Sequence, residues 1–262
     1  DISCAADLVE EVARIVGYDE VPATRLAFSL PPQEPSPMLD FKKRLRNILV
    51  NCGFQEVLTY SLVSMEKLRK LSPHLQLSAS PLKIVNPMTH EQEYLRTTLR
   101  ANVLATIANN QKREENGMRV FEIGRVFLPR GKDLPREKEM LCAALSGSRS
   151  RLSWHGDKQL LDFFDAKGAA ENLMSQLGSE VDFEAKDNDG FVQGRAVDIL
   201  VAGERIGTLG EVHPKVAHAF DLSGTVSVVE IDLEELLGKA TGVKRYQPIP
   251  RFPSVTRDIA LL

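Results

Sequence analysis

Apolar residues recur along this chain with two different periods, and the period changes from segment to segment. Leu8, Val12, Ile15 and Val16 recur at helical spacing, with Val9 at the margin, which predicts a helix over residues 7–16. Asp7 with Glu10 resembles a capping box, and Gly17 is the expected stop. Residues 18–37 carry Pro22, Pro31, Pro32, Pro35 and Pro37, which predict an extended linker. A second helix starts at Pro37 behind Ser36 and ends at Gly53. Phe41, Leu45, Ile48, Leu49 and Cys52 form its apolar stripe, with Lys42, Lys43, Arg44 and Arg46 mostly off it.

The same reading predicts helices over residues 64–71 and 98–112, the latter with Leu99, Val103, Leu104, Ile107 and Ala108 on one face. Asp165 is read as the cap of a helix through Leu177, ended by Gly178. Short helices follow His213-Pro214, as far as Phe220, and Asp232 with Glu235. Strands are predicted at 56–61, 82–85, 119–127, 140–145, 181–184, 195–201, 205–212 and 226–231, with Gly124 as a bulge or turn and Ala202-Gly203-Glu204 as a hairpin turn. Strands mixed with helices, without regular strand–helix alternation, predict an α+β fold with a mixed or antiparallel sheet. The chain opens on Asp1 and stops at Ala260-Leu261-Leu262 inside a strand-like run, so it reads as a piece of something longer.

A length of 262 residues with 43% hydrophobic residues is enough to bury a large core without cross-links. The formal net charge of −3 argues against a protein that grips nucleic acid mainly through its own surface. No apolar stretch approaches the length of a membrane span, which predicts no membrane partner. Cys4, Cys52 and Cys142 are far apart and in no metal-ligand pattern, so they read as buried free thiols in a reducing cytosol.

Asp1, Asp7, Glu10 and Glu11 form the densest acidic group. On a helix, residues 7, 10 and 11 share a face and suit a hard cation bound through oxygen. The helix dipole alone also favours carboxylates there. His74, His90, His155, His213 and His218 are scattered and lack zinc-ligand spacing. There is no nucleophile elbow, dinucleotide fingerprint or phosphate loop. Arg96, in Tyr94-Leu95-Arg96-Thr97-Thr98, reads either as a buried holder of a carboxylate or phosphate, or as a structural arginine bonded to carbonyls. Trp154 reads as a core or interface anchor.

Five segments, in order and spacing, resemble the β subunits of bacterial-type phenylalanyl-tRNA synthetases. They are 7–22 (Asp7-Leu8-Val9-Glu10-Glu11 through Pro22), Asn86-Pro87-Met88 through Leu99 with Phe121-Glu122-Ile123-Gly124, Asp162 to Gly168, Gly210-Glu211-Val212-His213-Pro214, and Arg251 to Leu261. The resemblance implies residues 1–24 as the tail of a B5 domain and 25–37 as a proline-rich linker. It implies residues 38–240 as a non-catalytic class II aminoacyl-tRNA synthetase-like core, an antiparallel or mixed sheet flanked by helices. Residues 241–262 would then lead into an anticodon-binding domain of ferredoxin-like fold.

The resemblance also implies a subunit of phenylalanine-tRNA ligase, a cytoplasmic (αβ)2 enzyme that uses ATP and reaches tRNA as a whole. This segment would scaffold the α subunit, and residues 38–52 would be its dimer-type helix. Magnesium, in a site shared with α, would fall on Asp1, Asp7, Glu10 and Glu11. Catalytic residues are expected to be absent: the active class II pattern has an arginine directly after an aromatic strand residue, whereas Phe121 is followed by Glu122, and Ser223 to Gly238 contains no glycine-rich strand ending in arginine. Arg125 stands close enough in sequence to substitute if the alignment shifts. The alternative is a freestanding amino-acid-activating synthetase paralogue.

Overall fold

The computed structural model describes residues 2–24, 34–72, 80–113, 117–131, 133–150, 154, 159–187, 190–240, 249 and 251–260. The chain divides into two compact units, residues Asp1–Ser36 and Pro37–Leu262.

In the first unit, helix α1 (Ala5–Val16) starts two residues earlier than the sequence pattern predicts. Cys4 is the N-cap and Asp7 is the third helical residue rather than the cap. The Asp7 carboxylate accepts from the Ser3 and Cys4 backbone N–H groups at 2.6 and 2.9 Å, so the acid that reads as a first-position cap works from inside the helix. Gly17 ends α1 as expected, and Tyr18–Glu20 form a 3-10 turn inside the predicted linker. Most of that linker, residues 25–33, lies outside the described residues.

The second unit is built on one sheet. After α2 (Pro37–Asn51), strand β1 (Gln55–Glu56) pairs in parallel with a later strand. The strand predicted over 56–61 is cut short there, and β2 (Leu62–Val63) instead pairs antiparallel with β3 (Tyr94–Leu95) in a small separate sheet. Helix α3 (Met65–Arg69) lies between them in sequence. The predicted strand at 82–85 is reduced to a single bridge, Lys83 to Tyr94. Helix α4 (Arg100–Gln111) leads to the long hairpin of β4 (Met118–Arg130) and β5 (Asp133–Ser146). Helix α5 (Phe163–Leu177), β6 (Val181–Ala185), β7 (Phe191–Val201), β8 (Glu204–Val212), α6 (Pro214–Ala219), β9 (Val226–Asp232) and α7 (Leu233–Leu237) complete it. The main sheet has the order β1-β4-β5-β9-β8-β7-β6, antiparallel throughout except for β1 with β4.

Strand side chains alternate between two cores, as the two-residue period requires. Phe121, Ile123, Leu141, Ala143, Leu145, Val229 and Ile231 pack with α2, α5 and α7. Val120, Val126, Cys142, Ala144, Ala196 and Val228 pack with α3, α4 and α6. Both faces are therefore covered, and Leu45, Phe121, Leu173 and Leu177 are at most 2% exposed. Each such side chain contributes about 1.5–3 kcal/mol of burial.

Several local expectations change. Gly124 is not a bulge: it pairs in register with Met140, and the shift in that ladder falls between Leu128 and Arg130. The cap of α5 is Asp162, which accepts from Phe164 and Asp165 N–H, while Asp165 is the reciprocal partner. Gly178 ends α5 in the left-handed conformation as expected. Trp154 is 98% exposed and so is no core anchor. Of the three thiols only Cys142 is buried; Cys52 is half-buried and Cys4 exposed. The described part of the final run, residues 251–260, contains no strand and is exposed. Among the described residues no helix is long and apolar enough to cross a membrane.

Candidate functional site

The chemistry-bearing feature of the second unit is a row of polar residues crossing the middle of the sheet. Glu122 on β4 pairs in register with Cys142 on β5, Cys142 with Glu230 on β9, Glu230 with Thr208 on β8, and Thr208 with Asp198 on β7. Alternation puts all five on the face that carries α4. Three carboxylates thus stand on one sheet face: Glu122, Glu230 and Asp198 are 2%, 8% and 7% exposed. Ionised carboxylates so deep are tolerated only when paired and hydrogen-bonded.

Each of them is paired. Arg96, 3% exposed, donates from Nη1 to Glu122 Oε1 at 2.7 Å and to Thr59 Oγ1 at 3.0 Å. Its Nε donates to the Arg125 carbonyl at 2.8 Å, and Thr59 Oγ1 donates to the second Glu122 oxygen at 2.7 Å. Arg96 thus sits as a structural arginine, bonded to a carbonyl as one reading expects and to the chain's own Glu122 carboxylate. Glu230 accepts from Thr98 Oγ1 at 2.5 Å and from the Leu99 N–H at 3.1 Å, and pairs with Arg100 Nε at 3.0 Å. Leu99, the N-cap of α4, has no side-chain cap of its own, so a carboxylate from β9 supplies the negative group that the helix N-terminus favours. Asp198 takes Lys186 and Arg205, each at 2.7 Å. Burial pushes the Asp198 carboxyl up, but these two cations outweigh it and hold it below its ordinary range. Cys142, between the first two carboxylates, has its thiol pushed well up by burial and then by Glu230.

Residues 96–100 form a strap tied to the sheet at both ends. Beyond the α4 N-terminus a cavity of about 270 Å³ opens on the same face, lined by Thr97, Val126, Lys138, Met140, Glu230 and Asp232 among others. Lys138 is committed to Asp232 at 2.5 Å, and Asp232 also caps α7 through the Glu234 and Glu235 N–H groups.

Arg125 does not substitute for an arginine at position 122. It points to the opposite face, where it pairs with Glu137 and Glu139, and Glu139 in turn binds Lys42 of α2. Strand β9 carries Glu230 on the same sheet face as Glu122. The sequence reading missed Glu230, Asp198, Thr59 and Thr98. A glutamate inside Val228-Val229-Glu230-Ile231 was the available signal, because a charge in an apolar strand demands a partner.

The predicted metal residues are only partly within view. Asp1 lies outside the described residues. Asp7 is on α1 with its carboxyl held below its ordinary range by the Ser3 and Cys4 N–H groups, and Glu11 pairs with Arg14 at 2.5 Å. Glu10 lies on the same helix. Among the described residues no group of three or more His, Cys, Asp or Glu side chains converges as a metal site. His213 caps α6 by accepting from the Lys215 N–H at 3.1 Å, and His90 pairs with Glu93 at 2.8 Å.

The model of the phenylalanyl tRNA synthetase beta chain CLM domain matches residues 21–233. A phenylalanine–tRNA ligase beta subunit from Dehalococcoides mccartyi is 41% identical over 262 residues, covering 100% of this chain and 32% of the relative. One from Syntrophotalea carbinolica is 37% identical over 274 residues, covering 100% and 33%. This chain thus spans about a third of the length of these relatives. Among solved structures, PylSc of Desulfitobacterium hafniense, a pyrrolysyl tRNA synthetase, matches with a TM-score of 0.59 at 16% identity, over 88% of this chain and 74% of that one. That likeness speaks for the fold alone, and it agrees with the mixed sheet flanked by helices of a class II synthetase-like core. By the family match and by whole-length identity, the chain belongs to the phenylalanine–tRNA ligase beta subunit family.

Proposed function

We propose that this chain is the synthetase-like core of a phenylalanine–tRNA ligase beta subunit and that it activates no amino acid itself. Its contribution is shape and contact surface for the α subunit of an (αβ)2 enzyme; the ATP-dependent chemistry rests on α, and tRNA is reached by the enzyme as a whole. The single observation that carries this reading is the buried Glu122–Arg96 pair. A carboxylate stands at the centre of the sheet face where adenylate formation would need positive charge, and the guanidinium beside it is committed through Nε and Nη1. An ATP phosphate approaching that face finds Arg96, Arg100 and Arg205 already paired with Glu122, Glu230 and Asp198. On this reading residues 1–24 are the tail of a B5 domain, 25–37 a linker, 38–240 the core and 241–262 the lead into an anticodon-binding domain.

Helix α2 is the surface this proposal offers to α. It buries Phe41, Leu45 and Leu49 against its own sheet while Leu39 and Val50 remain 62% and 55% exposed. The carboxylates Asp1, Asp7, Glu10 and Glu11 suit magnesium by their oxygen chemistry. Asp7 already spends one oxygen on the α1 N-terminus, so the ion would need ligands from α as well. Cytoplasmic residence follows from the same proposal.

The test is phenylalanine-dependent exchange of pyrophosphate into ATP by the purified chain, together with size analysis after mixing with α. No exchange, and a complex that full-length beta subunit competes away, are expected. Exchange by the chain alone would favour the freestanding synthetase paralogue and refute the proposal.

A further inference from the structure

The guanidinium of Arg96 is held by more than its ion pair, and this separates it from an ordinary buried salt bridge. Its Nε is fixed by the Arg125 carbonyl at 2.8 Å, and its backbone is tied into both neighbours: Arg96 N–H donates to the Ser61 carbonyl at 2.9 Å and Phe127 N–H to the Arg96 carbonyl at 2.9 Å. The guanidinium passes over Gly124 so closely that a Cβ there would stand 2.4 Å from Nη2. Strand β4 thus has a gap shaped for this side chain. Three donors converge on one point: Arg96 Nη1, Thr59 Oγ1 and, at 3.3 Å, the Thr59 backbone N–H all reach the Glu122 carboxylate. A charged guanidinium N–H, a hydroxyl and a backbone N–H around one carboxylate form the donor set of an oxyanion site.

We infer that Arg96, Thr59 and Gly124 form a built receptor for a small oxyanion, closed in cis by Glu122. Glu122 blocks access to the anion, while the groups that would hold it are in place. Glu122 is the occupant because it arrives from β4 itself, at an effective concentration no dissolved anion matches. The inference rests on this geometry and does not depend on the assignment to a ligase subunit.

The experiment uses the whole chain with Glu122→Ala, which removes the occupant and leaves the donors. Melting temperature is followed against acetate and against inorganic phosphate, with chloride at equal ionic strength as the reference. Glu122→Ala should gain saturable stability from acetate or phosphate, by about 3–5 °C at tenfold excess over Kd. The natural chain and Glu122→Gln, whose amide fills the same volume, should respond no more than they do to chloride. Arg96→Ala combined with Glu122→Ala should lose the response. If Glu122→Ala is unfolded in chloride, recovery of the native circular dichroism by either oxyanion supports the inference and failure to recover it overturns it. A folded Glu122→Ala indifferent to both anions also overturns it, and neither result bears on whether the natural chain lacks pyrophosphate exchange.

Discussion

Glu230 should be the residue on which the strap over the sheet depends, and the size of its effect can be worked out from its contacts. Replacing it with alanine removes acceptors from Thr98 Oγ1, the Leu99 N–H and Arg100 Nε together. Breaking a buried ion pair by deleting one partner costs about 3–5 kcal/mol. The Arg100 side chain keeps 23% exposure and can turn partly to water, which lowers the expected loss to about 2–3 kcal/mol. Glu230→Gln keeps the volume and an oxygen for the Leu99 N–H but loses the charge, so it should cost about 1–1.5 kcal/mol. Urea unfolding followed by circular dichroism reads both. With a slope of about 2 kcal/mol per molar urea, the midpoint should fall by about 1 M or slightly more for alanine and by roughly half that for glutamine. A double-mutant cycle with Arg100→Met should give a coupling of about 1–2 kcal/mol. A loss under about 0.5 kcal/mol for Glu230→Ala, with no coupling to Arg100, would refute the argument that β9 caps α4.

Three further outcomes follow from other contacts. The folded Asp198 carboxyl lies below its ordinary value of 3.8, so its stabilisation is complete above that pH and is lost as pH falls through the lower folded value. Asp198→Asn should therefore flatten the acid side of a stability–pH profile while lowering stability near neutrality. Cys142 is 0% exposed with its thiol pushed well up, so an alkylating reagent should spare it in the native chain and reach it only on unfolding; native-state labelling at Cys142, read by peptide mass, would contradict its burial. Gly124→Ala sets a Cβ 2.4 Å from Arg96 Nη2 and should destabilise by about 1–3 kcal/mol, whereas the same change at Gly168, which has no neighbour within 4 Å, should be neutral or stabilising in thermal melts.

The elements that the sequence revealed are those whose apolar periodicity is strong. Helices α2, α4 and α5 and strands β7 to β9 were visible because one stripe or one alternating face carries their burial. The first half of β5 was not visible. Residues 133–139 are mostly polar, and their strand form comes from the β4 ladder and the Arg125 pairs with Glu137 and Glu139. The starts of α1 and α5 were placed late for one reason, whereas Asp232 was correctly read as the cap of α7. Asp7 and Asp165 satisfy a free N–H from the third helical position, and a carboxylate there leaves the same sequence trace as one at the cap.

The candidate site was legible by half, and the missing half has a physical cause. Glu122 stands between Phe121 and Ile123, and Glu230 between Val229 and Ile231. A charge inside an apolar central strand cannot stay unpaired, so the sequence alone requires a counter-charge near each. It does not choose among the many arginines and lysines, because Arg96 is 26 residues from Glu122 and Arg100 is 130 from Glu230. The choice is made by the strap, which needs both pairs at once. Arg96 and Arg100 are four residues apart, while Glu122 and Glu230 sit two strands apart with Cys142 between them, about 9.6 Å across the sheet. A strap leaving β3 at Leu95 and entering α4 at Arg100 brings its two arginines to these acids only if both face it from one side. The two glutamates therefore act as a matched pair, and moving either to the other face would release one end of the strap.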